Sequence, residues 1–245
     1  EIEAALSAPS SAAGLHWALR LAESVSCGPA LRRWLAHGQP LVRAFAADAL
    51  AFRGEPVPPE ITGALLAESA PLVLCSGLGV VLRGRVRSHA DQVTALLAHD
   101  HPDVRSAALQ AGLALGRREA AEAGRRWCVD GGETAVGALE WVPLASDHEL
   151  LPALYEALGG AHARVACLAL GRLGRPEAAE ALLETAASAP ATARAAGCAL
   201  ALLFGLDLHA QKLELPAEAR PTPADEFALD PDEDLPWPDP PKLAA

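Results

Sequence analysis

The stretch His101–Gly116, HPDVRSAALQAGLALG, recurs along the chain. A recurring unit constrains a fold more than any single element does. Aligned on its last residue, QPLVRAFAADALAFRG closes at Gly54, SAPLVLCSGLGVVLRG at Gly84 and GGETAVGALEWVPLAS at Ser146. GGAHARVACLALGRLG closes at Gly174 and SAPATARAAGCALALLFG at Gly205. Successive closing residues are 30, 32, 30, 28 and 31 positions apart, which gives six copies. Each copy follows one plan. A Pro or Gly interrupts the chain near the start, as at Pro40, Pro71, Pro102 and Pro190. Proline suits the first helical turn, where its missing N–H costs nothing. In the quoted copy, Val104, Ala108, Ala111 and Leu115 follow at helical spacing, with Asp103, Ser106 and Gln110 on the other side. Gly116 can take the left-handed conformation that stops the helix.

Partner helices lie between these stretches. PPEITGALLAES brings Ile61 and Leu65 to one face, and ADQVTALLAHD brings Val93, Leu96 and Leu97. ELLPALYEALG does so with Leu151, Leu154 and Leu158, and PEAAEALLETAAS with Ala178, Ala181 and Leu182. A two-helix unit of this size cannot bury both apolar faces alone, so pairs must stack. Composition agrees. With 51% hydrophobic residues but only four Phe and one Tyr, the core is aliphatic, mainly Ala and Leu, and the β-branched content is low. The expected fold is all-α: a solenoid of about six helix pairs over residues 1–206, followed by an extended acidic, Pro-rich tail over 207–245. An extra pair at Ile2–Leu6 and Leu15–Ala22 is expected to cap the N-terminal end.

The copies resemble HEAT repeats of the short bacterial kind associated with phycobilin lyases. The resemblance rests on His101–Gly116, Pro40–Gly54 and, more loosely, Ala161–Gly174, and covers Ser10 to Gly205. It implies a solenoid that serves binding and scaffolding and, in some relatives, catalysis. The array followed by DLPWPDPPKL also resembles a family of bacterial HEAT-repeat proteins found with type VI secretion genes, whose chains continue further. That resemblance implies residues beyond Ala245. The start at Glu1 and the absence of Met carry the parallel expectation that the natural start lies upstream.

Charge bears on the partners. The net charge is −11, and residues 207–245 hold ten acids against three bases, leaving −4 for the rest. A chain so biased is a poor general binder of nucleic acid or anionic membrane. Its longest apolar stretch, about Ala70 to Leu82, is too short to span a bilayer. Five scattered cysteines without a C-x-x-C pair read as free thiols in a reducing compartment, the cytoplasm. Cys167 and Cys198 occupy equivalent repeat positions and read as small buried hydrophobes.

Candidate sites are few. His99, Asp100, His101 and Asp103 have a metal-like density, but they fall in an inter-helix turn where polar residues belong in any case. Neither a metal site nor a cofactor is expected. A group of Arg83, Arg85 and Arg87, and another of Arg117, Arg118, Arg125 and Arg126, would serve an alternative: a nucleic-acid-binding protein like the HEAT-like DNA glycosylases. A lyase-like enzyme is the other alternative, although few aromatics are present to line a bilin site. Arg43, Arg105 and Arg194 each stand eleven residues before a closing glycine, with Arg164 displaced by one. Such a ladder can pair with acids of a neighbouring repeat or face a partner. In the tail, eight prolines from Pro216 onward forbid regular structure, yet Phe227, Leu229, Leu235 and Trp237 are spaced as anchors. The sequence therefore points to a non-catalytic protein-interaction module, an adaptor or scaffold whose partner is another protein. Arg43, Arg105, Arg194, Phe227 and Trp237 are its expected partner-binding residues.

Overall fold

The structure is a computed structural model that describes residues 24–130, 132–145, 148–221 and 230–244. The expected capping pair at the N-terminus, Ser146, Phe227 and Leu229 lie outside the described residues. Among the described residues the regular elements are helical, and the sole β-type contact is an antiparallel bridge between Glu214 and Pro238. The expectation of an all-α chain holds. The chain divides into two compact units, Glu1–Gly124 and Arg125–Ala245. The described tail residues thus share a unit with the helices that precede them.

The first unit contains α1 (Ser24–Trp34), α2 (Pro40–Phe52), α3 (Pro59–Leu66), α4 (Pro71–Gly84), α5 (Ala90–Leu96) and α6 (Pro102–Ala114). Helix α7 (Arg118–Asp130) carries the division between the units. Consecutive helices pair, α1 with α2, α3 with α4 and α5 with α6, and the second members α2, α4 and α6 pack one against the next. Helix α2 is surrounded: Val42, Ala44, Phe45, Ala46, Ala47, Ala49 and Leu50 have at most 1% of their surface exposed. A helix apolar on nearly every side must have neighbours on every side, and alanine lets them approach. In α6, Val104, Ala108 and Ala111 are buried while Asp103 is exposed, as the spacing predicts.

The second unit contains α8 (Ala135–Trp141), α9 (Leu151–Leu158), α10 (Ala163–Leu173), α11 (Ala179–Ser188), α12 (Ala193–Phe204) and the short α13 (Pro240–Leu243). Helix α9 pairs with α10 and α11 with α12, while α10 packs on both α8 and α12. The expected inward residues Leu154, Ala178 and Leu182 are fully buried.

Helix ends follow the repeat. Pro40, Pro71 and Pro102 open α2, α4 and α6. Pro190 does not open a helix: α12 begins at Ala193, so this proline shapes the preceding turn. Gly54, Gly116, Gly174 and Gly205 all have φ between 66° and 73°. The residue after the left-handed one returns its N–H to a carbonyl five residues back. Glu55 donates to Leu50, Arg117 to Gly112 and Leu206 to Ala201, each at 2.8–2.9 Å. These bonds satisfy carbonyls that a helix end leaves open. The expectation that Gly84 plays this part is corrected by one residue. Gly84 stays helical, Arg85 takes φ 48°, and Val86 makes the returning bond to Val81.

Candidate interaction site

The ladder arginines perform two different tasks. In the first unit they lock turns. Pro40 and Pro102 open their helices three residues before Arg43 and Arg105, so each arginine sits a turn inside and its guanidinium reaches back. Arg43 Nη1 donates to the carbonyls of His37 and Gly38 at 2.8 and 3.0 Å, and Arg105 Nη1 to those of His99 and Asp100 at 2.9 and 2.7 Å. Arg43 also pairs with Glu68 at 3.0 Å, an acid of the following repeat, as a ladder predicts. The histidines of these turns complete the lock. His37 Nδ1 accepts the Gln39 N–H, and His99 Nδ1 accepts the His101 N–H. His101 Nδ1 in turn accepts the N–H of Asp103. The Nδ1 atoms of His99 and His101 in the candidate metal cluster thus bond its own backbone, and no metal-ligating group of three or more exists among the described residues.

In the second unit the helices begin later relative to the arginine. Arg164 and Arg194 are each the second residue of their helix, α10 and α12. From there their side chains extend beyond the helix ends and hold the tail. Arg164 donates from Nε at 2.9 Å and from Nη2 at 2.6 Å to one carboxylate oxygen of Asp232, whose residue is 3% exposed. Arg194 pairs with Asp230 and lies over the Trp237 ring, its guanidinium carbon 4.8 Å from the centroid. Charge-assisted bonds and a cation–π contact are strong among surface interactions.

Glycine completes the seat. A Cβ at Gly197 would lie 2.7 Å from Pro238 Cβ and 2.8 Å from its Cγ. The copies closing at Gly54, Gly116 and Gly174 carry Ala46, Ala108 and Ala166 at that register. Only the missing side chain lets Pro238 sit on α12. Beyond it the tail pairs with its own first half. Leu215 N–H donates to the Trp237 carbonyl and Asp239 N–H to the Leu213 carbonyl, at 2.9 and 2.8 Å. Lys242 Nζ donates to the Lys212 and Glu214 carbonyls and pairs with Asp239 at 2.8 Å, which holds the Asp239 carboxyl below its ordinary range. Leu208 is buried at the start of this return. Residues 230–243 thus form a strap on the second unit.

Of the expected partner-binding residues, Arg194 and Trp237 meet each other, and Arg43 and Arg105 face the turns of the first unit. Phe227 lies outside the described residues. Sequence reading missed Asp230, Asp232 and Gly197. The available signals were the Asp-x-Asp spacing ahead of the tryptophan and the glycine replacing a repeat alanine.

Four of the seven arginines of the nucleic-acid alternative, Arg83, Arg117, Arg118 and Arg125, are engaged with acids. Arg83 bonds the 1%-exposed Asp48 at 2.5 Å and stacks over Phe52. Arg117 pairs with Asp91 and Glu119, Arg118 with Glu122, and Arg125 with Glu149. All five cysteines are free thiols. Burial pushes the Cys167 thiol up to about 12 and the Cys75 thiol up to about 11, with the charge of Asp232 adding to the first and that of Asp103 to the second. Burial and then Asp232 raise Cys198 as well. Thiols so protonated are poor nucleophiles. No helix among the described residues is long and apolar enough to cross a membrane. The chain matches no family model and no curated protein.

Proposed function

We propose that the chain is a non-enzymatic protein-interaction module, an adaptor or scaffold built as a HEAT-like α-solenoid and working in the bacterial cytoplasm. The observation that supports this most directly is the strap. A face made by two arginines, each the second residue of its helix, and a glycine notch holds an extended, acidic, proline-rich segment through side-chain clamps and a pair of backbone bonds. Recognition of extended peptides commonly takes this form. Repeat arrays present such faces in series, and Leu72 on α4 and Leu202 and Phe204 on α12 are exposed. The resemblance of the array and of DLPWPDPPKL to proteins encoded with type VI secretion genes supports that setting for the partner.

The test is affinity capture from the native cell lysate, comparing the intact protein with Trp237→Ala. A protein set enriched by the intact chain, containing secretion-system components and altered by the substitution, supports the reading. Capture of no specific protein by the folded chain contradicts it. A shift of duplex DNA at low salt that fades as salt rises would favour the nucleic-acid alternative instead.

A further inference from the structure

We propose that the α10–α12 face holding Arg164, Arg194 and Gly197 is an exchangeable peptide site. It takes an extended acidic segment of a partner protein, Asp-x-Asp-x4-Trp-Pro in form, in place of the chain's own strap. The inference rests on the interaction-module reading and names the partner's chemistry.

Three features of the seat recognise a sequence rather than merely cover a core. Two guanidiniums at fixed helix starts are matched to carboxylates two residues apart, Asp230 and Asp232. The aromatic ring is read by the same Arg194 that holds the first carboxylate. The following proline is read by a notch that any side chain at position 197 would fill. The backbone of Leu213–Leu215 then adds two hydrogen bonds that any extended chain can accept or return.

Pro231, Glu233 and Asp234 face solvent. Helices α10 and α12 pack on each other and on their own partners α9 and α11. A proline-rich ligand loses little conformational freedom on docking, so a segment of this composition binds efficiently from outside as well. Being tethered, the chain's own strap competes at a high effective concentration, and a partner segment must displace it. The strap thereby limits the site to partners that carry the same pattern of charge and ring.

The probe is a fluorescein-labelled peptide of residues 230–244, titrated by anisotropy into the full 245-residue chain carrying Asp230→Ala, Asp232→Ala and Trp237→Ala together. Saturable binding is expected, at least ten-fold tighter than to the unaltered chain. A loss of ten-fold or more is expected when Arg164→Ala and Arg194→Ala are added, and likewise when the peptide carries D232A. Absent binding, or binding indifferent to both arginines, overturns the proposal if the released chain retains its helical circular dichroism and a cooperative melt. If the released chain does not fold, the titration is made on Trp237→Ala alone, with the same expected arginine dependence and the same overturning result. A dimer of the unaltered chain that grows with concentration and dissolves in the released variant would assign the occupant to a second copy, and so overturn the partner assignment. Peptide binding without any captured partner would leave the site standing and sink the module reading. Capture without peptide binding would do the reverse.

Discussion

Arg43, Arg105 and Arg194 occupy the same place in the repeat and Arg164 lies one residue later, yet Arg43 and Arg105 in the first unit look inward and Arg164 and Arg194 in the second outward. The cause is where the helix starts. With proline three residues ahead, the arginine lies a turn inside the helix and reaches the carbonyls of its own turn. Without that proline, the helix starts one residue ahead and the same side chain extends past its end. One register position thus yields a lock on its own turn or a clamp on the strap according to the turn before it.

The comparison is most severely tested at the buried acids. Replacing Arg164 by Ala leaves the Asp232 carboxylate buried without its guanidinium. It is expected to remove about 2 kcal/mol from the second unit and to free the strap. Arg83→Ala removes the short ion pair of the buried Asp48 in the first unit, at a cost of about 2 kcal/mol, yet leaves the strap in place. Urea titration with limited proteolysis separates the two results.

Glycines divide the same way. A Cβ at Gly171 would lie 2.8 Å from the Ala199 Cα, so Gly171→Ala pushes α10 off α12 and is expected to cost about 2 kcal/mol. The three atoms nearest a Cβ at Gly197 all belong to Pro238 of the strap. Gly197→Ala is expected to expose the strap to protease while the helices keep or gain up to about 1 kcal/mol from helix propensity. A lower melting temperature for Gly197→Ala with the strap still protected would refute the notch.

Thiols give a pH contrast. A folded thiol that keeps its proton above the ordinary value of 9.0 makes the folded chain the better proton binder in alkali. Stability is therefore full below pH 9 and falls above it as the unfolded thiols ionise and the folded ones do not. The fall attributable to Cys75 ends near pH 11 and that attributable to Cys167 near pH 12. Alkaline melts of Cys75→Ala and Cys167→Ala should each show a shallower decline.

The turn locks come next. Arg43→Ala and Arg105→Ala are expected to cost about 1 kcal/mol each and to leave strap proteolysis unchanged. Smallest are the helix closers: Gly116→Ala should lose about 1 kcal/mol and Arg85→Gly should gain a little less, because only glycine adopts a positive φ without strain. Thermal melts of the two variants should shift in opposite directions.

Much of this was legible in the chain. Apolar spacing located the pairs, the prolines Pro40, Pro71 and Pro102 marked helix starts, and four closing glycines marked ends. Arg85 escaped because a side-chain-bearing residue in a left-handed conformation leaves no compositional trace. At the site, the repeat register singled out Arg194, and tail composition singled out Trp237. Their meeting was not legible, since a contact across 43 residues depends on how the chain returns. The Asp232–Arg164 pair was hidden for the same reason. An acid among ten in a tail reads as solvated charge until a partner is seen beside it.

The most direct test of the account is amide hydrogen exchange of the intact chain against Arg164→Ala/Arg194→Ala, read at Leu215 and Asp239, the two amides that bond across the strap. Protection is expected at both in the intact chain and its loss in the variant, with the amides of α10 and α12 protected in each. Exchange of these two amides at free-chain rates in the intact protein, or protection that survives the loss of both arginines, would contradict it.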